Sequence, residues 1–179
     1  MIDTMRTPDE RSAPSPDVVD GELAAIIGEW EQLTSEEPWH VDPHRYGADT
    51  LHATIRAVLD MAVWGGTDPF APERLVRTAA AHGDQRRTQG ARSDELLAEY
   101  HALRGAFWRF LKRESGGGPE AIAQILRTDV ALGIATTVAL RGYHRSETPA
   151  GTSWESVMLR QVSEASLRLV DELPVGRSS

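Results

Sequence analysis

The sequence predicts an all-α fold, a single-domain bundle of five to six helices, on three observations. Apolar residues recur at steps of three and four along most of the chain, which is the period of one helix face. No segment shows the alternation of apolar and polar residues that is typical of a half-buried strand. The 179 residues suffice for one domain, and they contain no repeat of about 20–50 residues that would indicate a solenoid.

Three helices are predicted in the first half of the chain, and proline and glycine residues mark their ends. The first helix carries an apolar stripe that includes Trp30, and it ends before Pro38. The second stops at Gly65. The third has Pro72 in its first turn, where a missing N–H costs nothing, and it closes at Gly90. The predicted ranges are 18–33, 47–64 and 71–89.

Three further helices are predicted in the second half. Ser93 has the character of an N-cap for the fourth, and three glycines followed by Pro119 separate the fourth from the fifth. The fifth has little polar surface between Ala131 and Leu140, so we expect it at the centre of the bundle. The sixth is amphipathic, and it either packs on its own bundle or pairs with another chain. The predicted ranges are 93–113, 119–145 and 152–172.

The predicted helices define the domain organisation. Prolines and charged residues without an apolar run predict a disordered arm at the N-terminus. The main helical domain is followed by a short linker, the sixth helix and a disordered tail. These parts span residues 1–17, 18–145, 146–151, 152–172 and 173–179, respectively.

Composition limits the classes of partner and compartment. The net charge of −8 argues against a nucleic acid partner. The absence of cysteine removes disulfides and thiolate chemistry, and it is compatible with a reducing compartment. The longest nearly apolar run, 130–140, is too short to span a bilayer, and the N-terminus lacks the apolar segment of a secretory signal. We therefore expect a soluble cytoplasmic protein that is not bound to a membrane.

One face of the third helix changes from apolar to polar without leaving its helical register. Leu75, Ala79, His82, Arg86 and Gln89 follow one another at steps of four and three. Buried polar side chains are tolerated only when they are hydrogen-bonded, because an unpaired one costs about 1–3 kcal/mol. This stripe therefore predicts either a structural polar network or a ligand site.

Acid–base chemistry would require His82 to meet Glu95 or Glu99 across the Gly90 turn. A structural interpretation uses the same residues, with one of the two glutamates neutralising Arg86. No P-loop, H-E-x-x-H or G-x-S-x-G motif accompanies them. We therefore expect no catalytic residues, no metal and no cofactor.

The region around Gly90 resembles a known family. The chain reads H-G-x-x-R-x-x-Q-G from His82 to Gly90, and then L-L-x-E-Y-x-x-L-R from Leu96 to Arg104. This pattern is similar to the signature of the N-terminal sensor domain of RsbT co-antagonist (RsbRD-type) stressosome proteins. The resemblance implies a globin-like helical fold without haem, usually dimeric, that serves as a sensory or regulatory module. It adds Tyr100 and Arg104 to the candidate site.

The chain departs from this family in two respects. Family members tend to carry an aromatic or large apolar residue directly after Q-G, where this chain has Ala91. They normally continue into an output domain, whereas this sequence ends about 34 residues after the fifth predicted helix, at Ser179. We therefore expect a stand-alone domain that acts through a partner protein.

Three hypotheses follow. The first is a non-enzymatic sensory or regulatory domain of bacterial signalling, a homodimer through helix one or six that acts on an unidentified protein partner. The second is a domain that binds a small or haem-like ligand through His82, Arg86 and Gln89, since arginine can grip a carboxylate with two hydrogen bonds. The third is an enzyme built on His82 and Glu99. The interface candidates of the first hypothesis are Trp30, Trp154, Met158 and Val162.

Overall fold

The computed structural model describes residues 16–38, 49–62, 69–115 and 118–145. These residues form five α-helices in one bundle, and this part of the chain contains no strand. The all-α, single-domain prediction is confirmed. The helices are α1 (Pro16–Thr34), α2 (Asp49–Ala62), α3 (Ala71–Thr88), α4 (Ser93–Ser115) and α5 (Pro119–Tyr143).

The observed helix ends lie within two residues of the predicted ones. Residues 16 and 17, which were assigned to the disordered arm, already belong to α1. Arg92 rather than Ser93 occupies the N-cap position of α4, because its carbonyl accepts the first helical hydrogen bond, from Leu96 at 3.1 Å. After α3, Gly90 adopts a φ of +75°, a left-handed conformation that glycine adopts readily.

The two helices in closest contact are α3 and α5, and glycines at their crossing let the backbones touch. A Cβ atom on Gly83 would lie 1.8 Å from the carbonyl oxygen of Ala139. A Cβ atom on Gly142 would lie 2.2 Å from the carbonyl oxygen of Ala80. Any side chain at either position would push the helices apart.

The remaining helices enclose this pair. Helix α2 packs against α3 and α5, whereas α1 packs mainly against α4, which also contacts α5. Ion pairs reinforce two of these contacts: Arg74 with Asp60 at 2.9 Å between α3 and α2, and Arg113 with Glu29 at 2.6 Å between α4 and α1. The core includes Ile26, Ile55, Leu59, Leu75, Leu103, Phe107 and Leu132.

Helix α5 carries a long apolar stretch. Between Ala121 and Tyr143 its length and composition would allow it to cross a membrane, with a mean hydropathy of 1.3 over the most apolar stretch. It packs against α2, α3 and α4, as expected for the central helix of a bundle. A central core helix meets the same criteria, so the finding is weak evidence for a membrane span.

Several predicted features lie outside the described residues. They are most of the N-terminal arm, the linker 146–151, the sixth helix over 152–172, and the tail 173–179. Three interface candidates, Trp154, Met158 and Val162, lie there too.

Candidate functional site

A single buried carboxylate, Glu99, lies at the centre of the polar site. It is on the first half of α4 and is 1% exposed. Arg86 of α3 donates from Nε to Oε2 of Glu99 at 2.9 Å and from Nη2 to Oε1, so the guanidinium grips both carboxylate oxygens. His82, one turn earlier on α3, places Nε2 3.1 Å from Oε2.

The site extends from α3 to α2 through the other nitrogen of His82. Its Nδ1 lies 3.0 Å from the hydroxyl oxygen of Thr50, near the start of α2. The Thr50 hydroxyl also hydrogen-bonds the side-chain oxygen of Gln85. On the other side, Arg86 donates from Nη1 to the side-chain oxygen of Gln89 at 3.0 Å. We call Thr50, His82, Gln85, Arg86, Gln89 and Glu99 the Glu99 network; it joins α2, α3 and α4.

The electrostatics of the network favour an ionised Glu99. Burial by itself raises the pKa of this carboxyl group, but the charge and hydrogen bond of His82 and then those of Arg86 outweigh burial and hold the pKa below its ordinary value. The neighbouring Tyr100 is buried as well. Burial and the Glu99 charge raise the pKa of its phenol, so it stays neutral. Its ring meets that of His82 edge to face, with centroids 5.8 Å apart.

Two predicted site residues lie apart from the network. Glu95 accepts a hydrogen bond from the backbone N–H of Arg92 at 2.9 Å and thereby caps the start of α4. Arg104 pairs with Asp129 of α5 at 2.6 Å on the outer side of α4. Of the two glutamates considered for Arg86, the structure brings Glu99 to it.

The network includes two residues that the sequence did not indicate. Thr50 belongs to a helix start that resembles a solvated cap, and Gln85 lies next to the polar stripe rather than on it. The sequence contains one indication that Thr50 faces the interior. The register of α2 turns it toward the same side as the buried Thr54, one turn later.

Trp30 is a correction to the predicted interface. It is 6% exposed and belongs to the core cluster of the bundle, so it is not available to another chain. The apolar stripe of α1 that includes Trp30 is covered by α4. The apolar stripe of α1 is therefore buried within the chain itself.

The chemistry available to the network is limited by its own hydrogen bonds. Both oxygens of Glu99 are occupied by Arg86 and His82, and no group of three metal-binding side chains occurs in the described ranges. A shallow groove of about 150 Å³ lies on the outer side of α4 and α5. It is lined by Tyr100 and Arg104, but not by His82, Arg86 or Glu99.

The fold and this site together define a helical domain in which the buried motif residues His82, Arg86 and Glu99 are hydrogen-bonded to one another. The family described as "RsbT co-antagonist protein rsbRD N-terminal domain" matches residues 16–158. The chain belongs to this family, which is a family of stressosome-type signalling domains. No curated protein and no solved structure matches the chain. The globin-like arrangement of the helices therefore stays a prediction.

Proposed function

We propose that this chain is a non-enzymatic sensory or regulatory domain of bacterial signalling, acting in the cytoplasm through contacts with other protein chains. The observation that carries the proposal is the Glu99 network. In it, the residues that mark the family signature are hydrogen-bonded to one another in the interior. Such residues serve to hold helices in register rather than to act on a substrate.

The burial of Glu99 and His82 argues against catalysis. A general base needs to come within hydrogen-bond distance of the proton that it removes. Both side chains are almost wholly buried, and the Glu99 oxygens already accept hydrogen bonds from Arg86 and His82. The same geometry weakens the ligand-binding alternative, since Arg86 already grips a carboxylate that belongs to the protein.

A network that joins three helices can couple a disturbance at one helix to the position of another. A shift of α2 would move Thr50 relative to His82, with which it makes a hydrogen bond. His82 in turn contacts the Glu99 carboxylate of α4, so the shift would be felt there. We propose that the domain works as a homodimer in which such movements change the surface presented to a protein partner. This requires no bound cofactor.

Native mass spectrometry of the purified chain tests the proposal, because it reports the number of subunits and any retained ligand together. We expect a dimer with no added mass. A retained mass that is lost in Arg86→Ala but kept in Arg87→Ala would replace the proposal with the ligand-binding function. Arg87 is the matched control, since it is a neighbouring arginine with a half-exposed side chain. A monomer without added mass would overturn the dimeric mode of action.

A further inference from the structure

The outer side of α4 and α5 carries four of the six large apolar side chains that are exposed in the described bundle. Leu97 and Trp108 of α4 and Ile122 and Leu126 of α5 are between 39% and 58% exposed. Large apolar side chains scattered singly over a surface are ordinary, whereas a cluster of them is typical of a surface that another protein covers. This cluster therefore indicates an interaction surface.

Two contacts fix how α4 and α5 lie beside each other. Arg104 pairs with Asp129, and the hydroxyl group of Tyr143 donates to the Ala91 carbonyl, so the two helices run antiparallel. In this register one outward stripe of α4 lies beside one outward stripe of α5. We call the two stripes together the α4/α5 face; it comprises Leu97, His101, Arg104 and Trp108 on α4, and Ile122, Leu126, Asp129 and Gly133 on α5.

The two ends of the α4/α5 face differ in shape. At one end lies the shallow groove of about 150 Å³, with Leu97, His101 and Arg104 on the α4 side and Gly133 on the α5 side. A Cβ atom on Gly133 would meet nothing within 4 Å. At the other end Trp108 projects and is 46% exposed. Trp108 lies about 6 Å beyond Arg104 along α4 and His101 about 5 Å before it, so the projection and the groove lie on opposite sides of the ion pair at similar distances.

We propose that the α4/α5 face is a homodimer interface, with a two-fold axis that passes through the face beside the Arg104–Asp129 ion pair. A half-turn about this axis lays α4 of one copy along α5 of the second copy, so that the four helices form a bundle. The inference rests on the homodimer of the proposed function, and it names the surface that forms it.

The two stripes match position for position in this arrangement. The α4 stripe advances by steps of four, three and four, and the α5 stripe advances by the same steps. Because α4 of one copy and α5 of the other then run in the same direction, each α4 residue faces an α5 residue of the second copy at a constant offset. The facing pairs are Leu97 with Ile122, His101 with Leu126, Arg104 with Asp129, and Trp108 with Gly133.

Size and charge are complementary in these pairs. The indole of Trp108 enters the groove over Gly133 of the second copy, where the missing side chain leaves room for it. Arg104 lines that groove, and a guanidinium against an indole face is a favourable cation–π contact. Arg104 uses its Nε for Asp129 of its own chain, at 2.6 Å, and the planar fork of the guanidinium lets its terminal nitrogens bind Asp129 of the second copy. Two arginines and two aspartates then alternate around the axis.

The symmetry of the face favours a second copy over a different protein. A two-fold interface is self-complementary, so each projecting group needs a recess on the same surface, and each positive group needs a negative one. The α4/α5 face meets both requirements about a single ion pair. A face that binds a different protein has no need to carry both halves of each contact.

Truncation of Trp108 in the full chain tests the inference. We expect Trp108→Ala to raise the dissociation constant of the dimer by about tenfold or more, because the indole is buried twice in the interface. Phe70→Ala is the matched control, since Phe70 is also an exposed aromatic residue but lies at the start of α3, away from the face. Sedimentation equilibrium measures the dissociation constants, and thermal melts verify that both variants are folded.

The outcomes separate this inference from the proposed function. Equal dissociation constants in Trp108→Ala and Phe70→Ala would overturn the assignment of the α4/α5 face and leave the homodimer standing. A wild-type chain that stays monomeric would overturn both.

Cysteine cross-linking tests the register, because the chain has no cysteine of its own. Within one chain, Leu97 lies beside Thr136 at the groove, and Ile122 is about 21 Å further along α5, too far for a disulfide. Mild oxidation of Leu97→Cys/Ile122→Cys should therefore give a disulfide-linked dimer. In the control Leu97→Cys the two thiols lie at opposite ends of the face, and linking should be at least about tenfold slower. Equal linking of the two variants, or none in the double variant, would overturn the register.

Discussion

Glu99 is a single carboxylate that satisfies two cation-forming side chains of another helix. The desolvation cost of burying Arg86 is large, and a bidentate carboxylate in hydrogen-bond contact is the arrangement that offsets it. His82 uses the second lone pair of one Glu99 oxygen and carries the hydrogen bonds on to Thr50. The three buried residues therefore form one unit, and the effect of changing one depends on the others.

Removing the charge of Glu99 should destabilise the protein more than removing the whole ion pair. Glu99→Gln leaves Arg86 buried without a counter-ion, which costs about 3–5 kcal/mol in the free energy of unfolding. Arg86→Met combined with Glu99→Leu removes both charges and should lose much less. Urea unfolding of both variants, with the exposed Glu36→Gln as the matched control, measures the difference. A double variant at least as unstable as Glu99→Gln would contradict the coupling.

The pKa of Glu99 also predicts how stability depends on pH. Since its pKa is lower in the folded than in the unfolded chain, the unfolded chain binds a proton first as the pH falls. The stabilisation is therefore present at neutral pH and is lost as the pH drops below the ordinary glutamate value of 4.5 toward the lowered folded value. Thermal melts between neutral and acidic pH should show this loss.

The paired variant Arg86→Met/Glu99→Leu is the control for that experiment, because it lacks the titrating group. Its melting temperature should fall less steeply over the same acidic range. Identical pH profiles for the two proteins would mean that Glu99 does not contribute to acid unfolding.

Residue spacing was enough to predict part of the site. The steps of four and three put His82 and Arg86 on one face of α3, and burial of that face required a partner. Spacing could not choose between Glu95 and Glu99, which are one turn apart on the same side of α4. The choice depends on how α3 and α4 are placed relative to each other, which the packing of the bundle determines. Thr50 is distant from His82 in the sequence, so its place in the site could not be predicted for the same reason.

Among the helices, the crossing of α3 and α5 depends on glycine. Gly83→Ala would place a methyl group against the Ala139 carbonyl, and we expect a loss of about 1–3 kcal/mol from overpacking. Gly28→Ala on α1 is the matched control, since a Cβ atom there meets nothing within 4 Å. It should stabilise α1 by up to about 1 kcal/mol, because alanine favours a helix over glycine. Melting temperatures that move in the same direction in the two variants would contradict this.

Helix ends were predictable to within two residues because proline and glycine mark them locally. The mutual packing of the helices was not, since it depends on side chains far apart in sequence. The contact considered between the third and fourth helices across the Gly90 turn illustrates this point. These helices make little backbone contact despite the short turn at Gly90, and the long side chains of Arg86 and Glu99 span the space between them. Trp30 was misplaced for the same reason, because the sequence does not reveal that α4 covers α1.

At the scale of the whole molecule, the buried positions are concentrated along α2 and in the central parts of α3, α4 and α5. Residues 75–83, 99–107 and 131–139 contain most of the fully buried positions of α3, α4 and α5. By contrast, the first turns of α1 are mostly exposed or partly exposed. Stability is therefore unevenly distributed along the described chain.

Amide hydrogen exchange followed by mass spectrometry should report this distribution. We expect peptides from the three central segments to exchange slowest and peptides covering residues 18–22 to exchange fastest among the helices. In Gly83→Ala, protection should fall in α3 and α5 together, because the substitution separates both. Equal protection of residues 18–22 and the central segments would contradict this uneven distribution of stability.

The sharing of one carboxylate by His82 and Arg86 has a consequence for how such sequences can diverge. A substitution at Glu99 alone leaves the buried Arg86 charge without a partner, and a substitution at Arg86 alone does the same to the Glu99 charge. Either single substitution therefore lowers the stability of the folded protein. Descendants of this sequence should therefore either keep all three residues or exchange them together for apolar ones. Across homologues, the presence of glutamate at position 99 should foretell arginine at position 86, and its loss should accompany an apolar residue there.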